Sequence, residues 1–119
     1  MMSEFEKCRK KRKLVKISYA EDLIDQEIQE AQKDLAISRE SFQNNYYKWS
    51  IIQGYYAMFH AGKALLLSKG YREKSHYCLC VGLRHLFVET NLLPVTIVEA
   101  LSLAKALREA ADYRGEYSK

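Results

Sequence analysis

Hydrophobic residues recur at helical spacing through most of the sequence, beginning shortly after Ser18. In the first such stretch they follow one another every three or four residues, with one serine among them, as in a long helix packed along a neighbour. The positions in this row are Ile24, Ile28, Ala31, Leu35, Ser38 and Phe42. Ser18 and Glu21 have the spacing of a capping box, which predicts the start of the helix. Asn44 and Asn45 indicate its end.

The next segment, from about Tyr46 to Lys69, is apolar around most of its circumference. Two adjacent rows of apolar side chains run along it, so we expect it to be buried on more than one side. Gly70 follows, and it is predicted to end the helix in a left-handed conformation. This segment is therefore the predicted central helix.

Two further helices are predicted beyond that glycine. One opens near Ser75 and ends near Asn91, and the other has Pro94 in its first turn and continues to about Tyr113. The sequence thus predicts an all-α fold, an antiparallel up-and-down bundle of four to five helices. The second and third helices carry more apolar surface than one small bundle can hide, which favours a symmetric homodimer.

The positive charge of the chain is concentrated at its beginning. The net charge is +4, yet residues 1–18 alone hold seven basic and two acidic residues, while the rest is nearly neutral. We therefore expect residues 1–17 to form a flexible basic tail and residues 18–119 to form one domain. A tail of this kind is either simply solvated or binds RNA by neutralising phosphates. The neutral body argues against strong RNA affinity of its own.

The cysteine content and hydropathy favour a reduced, cytoplasmic protein. Cys8, Cys78 and Cys80 are odd in number and follow no disulfide-rich pattern, so reduced thiols are expected. No apolar run approaches the roughly 18–20 residues needed to span a bilayer, so no membrane association is predicted. His76 shares a helical face with Cys80, and His85 is nearby in the sequence, but the spacing is too weak a metal signature. Neither a metal site nor a cofactor is expected.

Three separated segments resemble the HEPN family of helical nucleotide-binding domains. Residues 55–71, YYAMFHAGKALLLSKGY, are similar to the second helix of these domains. Residues 74–76 (KSH) and residues 108–113 (REAADY) resemble the start of the third helix and the end of the fourth. The resemblance extends over residues 18–117, which is nearly the whole predicted bundle.

This resemblance implies a bundle that dimerises and that often works beside a minimal nucleotidyltransferase as a toxin–antitoxin pair. Toxic members share the motif Arg-x(4–6)-His and cleave RNA without metal. In that chemistry the arginine holds the phosphate, and the histidine moves the proton of the 2′-hydroxyl. The resemblance also implies a further helix after the REAADY segment. Either the sequence ends naturally at Lys119 and a dimer covers the gap, or the chain is shortened.

The sequence departs from the ribonuclease motif. Counted from Arg108, the histidine positions of the motif hold Tyr113, Arg114 and Gly115. No other arginine is followed by a histidine at that spacing anywhere in the sequence. Because the unperturbed pKa of tyrosine is about 10, tyrosine is a poor base near neutrality. An active ribonuclease of the usual kind is therefore not expected.

The degenerate motif still supplies the main binding-site candidates. Arg108 and Asp112 could contact a ligand, or they could form an ordinary ion pair one helical turn apart. Tyr113 and Tyr117 could stack on a base, or they could cap the core at the end of a helix.

Two candidates lie on the central helix. His60 is interpreted either as a hydrogen-bonded buried histidine or as a catalytic group, and Lys63 either extends to solvent or meets a phosphate. Three function classes follow from these candidates. The favoured one is a non-catalytic HEPN-type binding module that pairs with a nucleotidyltransferase and contacts nucleotide or RNA. The others are a divergent metal-independent ribonuclease toxin, using Arg108 with a tyrosine or His60, and a purely structural dimerisation domain.

Overall fold

The computed structural model describes residues 1–114, and helices dominate it. In chain order the elements are α1 (Glu4–Lys10), β1 (Leu14–Lys16), α2 (Glu21–Gln43), α3 (Tyr47–Ser68), β2 (Tyr71–Glu73), α4 (His76–Leu83), a π-helical turn (Arg84–Val88) and α5 (Val95–Arg114). This confirms the predicted all-α helical bundle. Within residues 1–114, no helix has both the length and the apolar character needed to cross a membrane.

The central helix is α3, as predicted, and it packs between α2 and α5. Its end is also as predicted, because Gly70 has a φ of +83° directly after the last turn. Asn45 has a φ of +64°, which turns the chain sharply between α2 and α3 and makes them an antiparallel hairpin. The largest fully buried side chains in the described residues are Leu14, Leu66, Leu79, Leu83 and Val98.

The predicted capping box at the first long helix is wrong. The helix begins at Glu21, its N-cap is Ala20, and Ser18 lies before it without capping it. The reason is that the backbone stays extended after β1, where the Ile17 N–H donates to the carbonyl of Gly70 at 2.8 Å. The predicted start at Ser75 is confirmed, since its hydroxyl accepts from the backbone N–H of Cys78 at 3.1 Å.

The N-terminal segment differs from the flexible tail expected from its charge. Residues 4–16 form α1 and β1, and Phe5 and Leu14 are buried against the bundle. β1 pairs with β2 in antiparallel register, with Leu14 opposite Glu73 and Lys16 opposite Tyr71. The basic side chains point outward from these buried anchors, so the positive charge belongs to a folded surface.

The prediction of three reduced thiols is also wrong. Cys8 of α1 and Cys78 of α4 form a disulfide, and Cys80 is free and buried. The two Cα atoms lie 5.8 Å apart, within the range that a disulfide bridges. Sequence alone missed this pair because 70 residues separate the two cysteines, and only the packing of α1 on α4 brings them together.

Candidate functional site

The best candidate site is built around Arg108, which extends from α5 onto two tyrosine rings of α3. The carbon of its guanidinium lies 5.1 Å from the ring centre of Tyr55 and 5.7 Å from that of Tyr56. Its Nη1 also donates to the hydroxyl of Tyr56 at 3.3 Å. Cation–π attraction and this hydrogen bond hold the planar group in one orientation. Arg108 is therefore a preorganised cation with a side chain that is 18% exposed.

The guanidinium of Arg108 has hydrogen-bonding capacity left over. Asp112, one turn further along α5, places its Oδ2 3.7 Å from Nη1, which is the ion pair that the sequence offered as one of two interpretations. The Nε atom of Arg108 is buried and has no hydrogen-bond partner in the described part of the chain. A buried donor without an acceptor costs about 1–3 kcal/mol. Nε is enclosed by the protein, so an anionic ligand can reach Arg108 only through the 18% of its side chain that is exposed.

His76 is linked to this site through Tyr55, although the sequence analysis did not connect them. Burial, followed by the positive charges of Lys105 and Arg108, lowers the pKa of His76, so its imidazole favours the neutral form. Burial raises the pKa of Tyr55 to about 12, so its phenol keeps its proton. The Tyr55 hydroxyl and Nδ1 of His76 share a hydrogen bond at 3.0 Å. The second nitrogen, Nε2, faces the Cys80 sulfur at 3.5 Å.

A cavity of about 290 Å³ opens beside this histidine, between α4 and α5. It is lined by His76, Tyr77, Cys80, Ser102, Lys105, Ala106 and Glu109. Burial raises the pKa of the Cys80 thiol, which disfavours the nucleophilic thiolate. His85 does not complete a metal site here, because it stacks on Phe5 and lies 3.3 Å from a carboxylate oxygen of Glu89. Polar side chains line the cavity, so it offers hydrogen-bonding contacts for a ligand; they are His76, Ser102, Lys105 and Glu109.

The remaining candidates from the sequence do not join Arg108. Tyr113 is 77% exposed near the end of α5, and Tyr117 lies outside the described residues. His60 and Lys63 instead pair with α2, where both contact Glu27. The site thus combines two predicted residues, Arg108 and Asp112, with tyrosines and a histidine that were not assigned to it.

The sequence of this chain matches a known protein family. The family model described as HEPN domain matches residues 24–119, which is most of the sequence. The chain belongs to the HEPN family. The resemblance of the three separated segments is thereby confirmed, and Arg108 lies inside the HEPN match while α1 and β1 precede it.

Two proteins similar to this HEPN chain come from Methanocaldococcus jannaschii. "Putative toxin MJ0142" is 32% identical over 101 residues, which are 85% of this chain and 68% of that protein. "Putative toxin MJ0605" is 30% identical over 86 residues, which are 72% of this chain and 64% of that protein. The chain therefore spans about two thirds of the length of each relative. No solved structure gives a significant match.

Sequence reasoning missed His76 in this HEPN site because it followed the family motif along the chain. Arg108 and His76 lie on different helices, and Tyr55 on a third helix connects them. One signal was present in the sequence: Tyr55 and Tyr56 are adjacent on the central helix, so both can lie near the same neighbouring helix. Only the fold shows that both rings contact the same guanidinium.

Proposed function

We propose that this HEPN protein is a toxin-like binding module that holds a phosphate group of a nucleotide or RNA at Arg108 without cleaving it. The observation that carries the proposal is the guanidinium of Arg108, which is fixed on two tyrosine rings and whose side chain remains partly exposed. A planar guanidinium binds phosphate through two parallel hydrogen bonds. This group is held in place before any ligand arrives, which lowers the entropic cost of binding.

Tyr56 supports a nucleotide as the ligand class. Its side chain remains 37% exposed while its hydroxyl accepts from Arg108. An exposed aromatic face beside a phosphate-binding cation suits a base, since stacking contributes about 1–3 kcal/mol per base. Tyr113 and Asp112 lie at the same end of α5 and are partly or fully open to solvent. We keep them as proposed ligand contacts.

The same geometry disfavours catalysis. No histidine follows Arg108 at the spacing of the ribonuclease motif. Both ring nitrogens of His76 already face protein partners, the hydroxyl of Tyr55 and the sulfur of Cys80. Tyr55 itself is only 5% exposed. A substrate hydroxyl would therefore have to displace these contacts before a proton could leave it.

One observation favours a divergent ribonuclease as the second candidate function. Tyr55 joins the phosphate-binding arginine to a histidine with a lowered pKa. In such an enzyme the 2′-hydroxyl would give its proton to the Tyr55 oxygen while Tyr55 passes its own proton to Nδ1 of His76. The alkoxide would then attack the phosphate beside Arg108. This relay needs no metal.

The partner and the location are proposed on other grounds. The toxin names of the two relatives and the family resemblance support a toxin–antitoxin-like pair with a minimal nucleotidyltransferase. An uncovered apolar groove between α2, α3 and α5 supports a homodimer. We propose the cytoplasm as the location, where both RNA and nucleotides are available.

Binding of a fluorescent mononucleotide and of a short labelled RNA tests the main proposal. In Arg108→Ala the loss of charge-assisted bonds, worth about 1.5–3 kcal/mol, should weaken binding roughly 10- to 100-fold. Arg108→Lys should recover part of the affinity, because it keeps the charge but loses the planar fork. Arg39→Ala, at an exposed arginine of α2, is the matched control and should bind normally. Equal binding by wild type and Arg108→Ala would contradict the proposal.

The same proteins separate the alternatives. Incubated with single-stranded RNA in EDTA, the wild type should leave the RNA intact. Cleavage that disappears in both Arg108→Ala and His76→Asn would instead establish the ribonuclease. If neither nucleotide nor RNA binds at any concentration tested, the purely structural dimerisation domain becomes the better interpretation.

A further inference from the structure

A second polar cluster lies between α2 and α3 and does not contact Arg108. At its centre is His60 of α3, whose two ring nitrogens both face carboxylates of α2. Nδ1 lies 2.5 Å from Oε1 of Glu27, and Nε2 lies 3.7 Å from Oδ2 of Asp34. His60 and both carboxylates are about one-fifth exposed, so the cluster is partly shielded from water.

The positions of the side chains suit a metal ion. Glu30 and Asp34 are four residues apart on α2 and therefore share a face of that helix. One ligand atom from each of Glu30, Asp34 and His60 lies within 4.8 Å of the other two. Ligands of one zinc ion sit about 2.0–2.2 Å from it, so a small closing movement suffices. Glu30 is exposed and has the rotamer freedom to make it.

The contact between Glu27 and His60 matches the way that metal-binding histidines are oriented. A carboxylate only accepts hydrogen bonds, so Nδ1 of His60 donates to Glu27. Nε2, the other ring nitrogen, faces Asp34 and is the atom available to a metal ion when the imidazole is neutral. Histidines that bind metals are usually oriented by such a carboxylate on the opposite nitrogen.

The local charge also favours a cation. Three carboxylates, those of Glu27, Glu30 and Asp34, meet here in a chain with a net charge of +4. Lys63 is the positive side chain recorded in contact with this cluster; its Nζ lies 3.4 Å from Glu27 and over the ring of Phe59. That lysine contacts Oε2 of Glu27, whereas His60 contacts Oε1, so it offsets the charge of the orienting carboxylate rather than that of Glu30 or Asp34.

We propose that Glu30, Asp34 and His60 bind one divalent transition-metal ion, with Glu27 orienting the imidazole. One imidazole and two carboxylates suit zinc and its neighbours such as nickel or cobalt. The bound ion would join α2 to α3, the hairpin on which Tyr55 and Tyr56 are carried. Sequence analysis predicted no metal, because it considered only the histidines and cysteine near α4.

Zinc titration of the full-length chain, stripped of metal and with its disulfide intact, tests this site. Calorimetry should give one Zn²⁺ per chain, and the thermal midpoint should rise with added Zn²⁺. In a side-chain ¹⁵N spectrum, Zn²⁺ should shift Nε2 of His60 more than any nitrogen of His76 or His85. Nickel should compete for the same site.

Three substitutions define the expected pattern. His60→Asn and Asp34→Asn should each lower the zinc affinity at least tenfold, since each removes a ligand. Glu27→Gln removes only the orienting carboxylate and should lower it roughly 10- to 100-fold. His85→Asn is the matched control and should bind as the wild type does. If His60→Asn fails to fold, Asp34→Asn and Glu27→Gln test the site, because each replaces a carboxylate by an amide of nearly the same shape.

Two outcomes would overturn the proposal. One is the absence of saturable binding at millimolar Zn²⁺ in the folded wild type. The other is stoichiometric binding that Asp34→Asn and Glu27→Gln leave unchanged but His76→Asn abolishes, which would place the metal beside Cys80. Because the readout is metal binding, failure here leaves the phosphate-binding role of Arg108 unaffected.

Discussion

The neutral form of His76 is favoured by everything that the fold places around it except one carboxylate. Burial contributes most to the lowered pKa, Lys105 and Arg108 act in the same direction, and Glu109 opposes them. The Tyr55 hydroxyl and Nδ1 share a hydrogen bond at 3.0 Å, which either tautomer of the neutral imidazole can make. Protonation of His76 would therefore place a charge in a partly buried part of the candidate site, beside Lys105 and Arg108.

This arrangement predicts a pH dependence of stability. Unfolded, His76 titrates near its ordinary value of 6.5, and folded it titrates lower. As the pH falls through 6.5 the unfolded chain binds more protons, so the free energy of unfolding decreases until the lowered folded pKa is passed. The wild type should thus lose more stability than His76→Asn between about pH 8 and about pH 5. Urea unfolding of both proteins across this range measures the difference.

The wild type must be compared with His76→Asn because Glu73 changes stability with pH in the opposite direction to His76. Burial raises the pKa of Glu73, so its contribution to stability is lost as the pH rises. That contribution is common to both proteins and cancels in their difference. Parallel pH profiles for wild type and His76→Asn would show that the imidazole is not held neutral.

The sequence predicted some residues of the candidate site and missed others for one physical reason. Arg108 and Asp112 were candidates because their segment resembles the HEPN motif, and their contact was predictable because they lie one turn apart on one helix. His76 was not, because its link to Arg108 passes through a third helix. The same limit hid the cluster around His60, whose partners come from α2.

Among the elements, α1 depends most on distant partners. It is a helix of seven residues, and short isolated helices are unstable in water. Two things hold it: the burial of Phe5 against the bundle and the disulfide between Cys8 and Cys78 of α4. β1 follows directly and pairs with β2. The N-terminal segment is therefore part of the core.

Removal of the disulfide should destabilise the whole fold. The bond closes a loop of 70 residues, and cross-links of this kind typically contribute about 2–4 kcal/mol. Cys8→Ser should therefore lower the free energy of unfolding by about that amount, as measured by urea titration with circular dichroism. Dithiothreitol should lower the free energy of unfolding of the wild type to that of Cys8→Ser. Cys80→Ser, the control, should keep this sensitivity, and a wild type indifferent to reductant would contradict the prediction.

Elements were predictable where local pattern decides them. The end of α3 at Gly70 and the start of α4 at Ser75 follow from short-range backbone chemistry. α1 and β1 were not predicted, because basic residues surround their few apolar anchors and mask the pattern. A strand of three residues paired with another far along the chain leaves no periodic signal.

The whole molecule exposes an apolar groove between α2, α3 and α5. Its volume is about 530 Å³, and its lining is almost entirely hydrophobic. Residues from the row predicted on the first long helix lie along it, among them Leu35, which is 43% exposed. Exposed apolar surface of this kind usually meets a partner. A second copy of the chain is the proposed occupant.

A homodimer should therefore be measurable in solution. Light scattering after gel filtration should give twice the chain mass. The interface of such a dimer should bury more than roughly 1,000 Å². Leu35→Glu places a charge in the groove and should yield monomers. Leu103→Glu, at an exposed leucine of α5 outside the groove, is the matched control and should remain dimeric. A monomeric wild type at micromolar concentration would contradict the proposal.

The architecture was predictable from sequence to a greater extent than the assembly. Helical periodicity and the scarcity of turn residues defined the bundle, because each helix must bury its apolar face against another. The excess of apolar surface indicated a partner. It could not indicate which helices would form the groove, since that depends on how α5 crosses α3.

The pairing of β1 with β2 has a consequence for the order of events on the ribosome. The strand that contains Leu14 cannot pair until Glu73, roughly sixty residues later, has been synthesised. At about 5–20 residues per second that delay is roughly 3–12 s. The α2–α3 hairpin needs only nearby residues and can form within the interval. The earliest segment synthesised is thus among the last to be placed, and Phe5 and Leu14 stay uncovered until then.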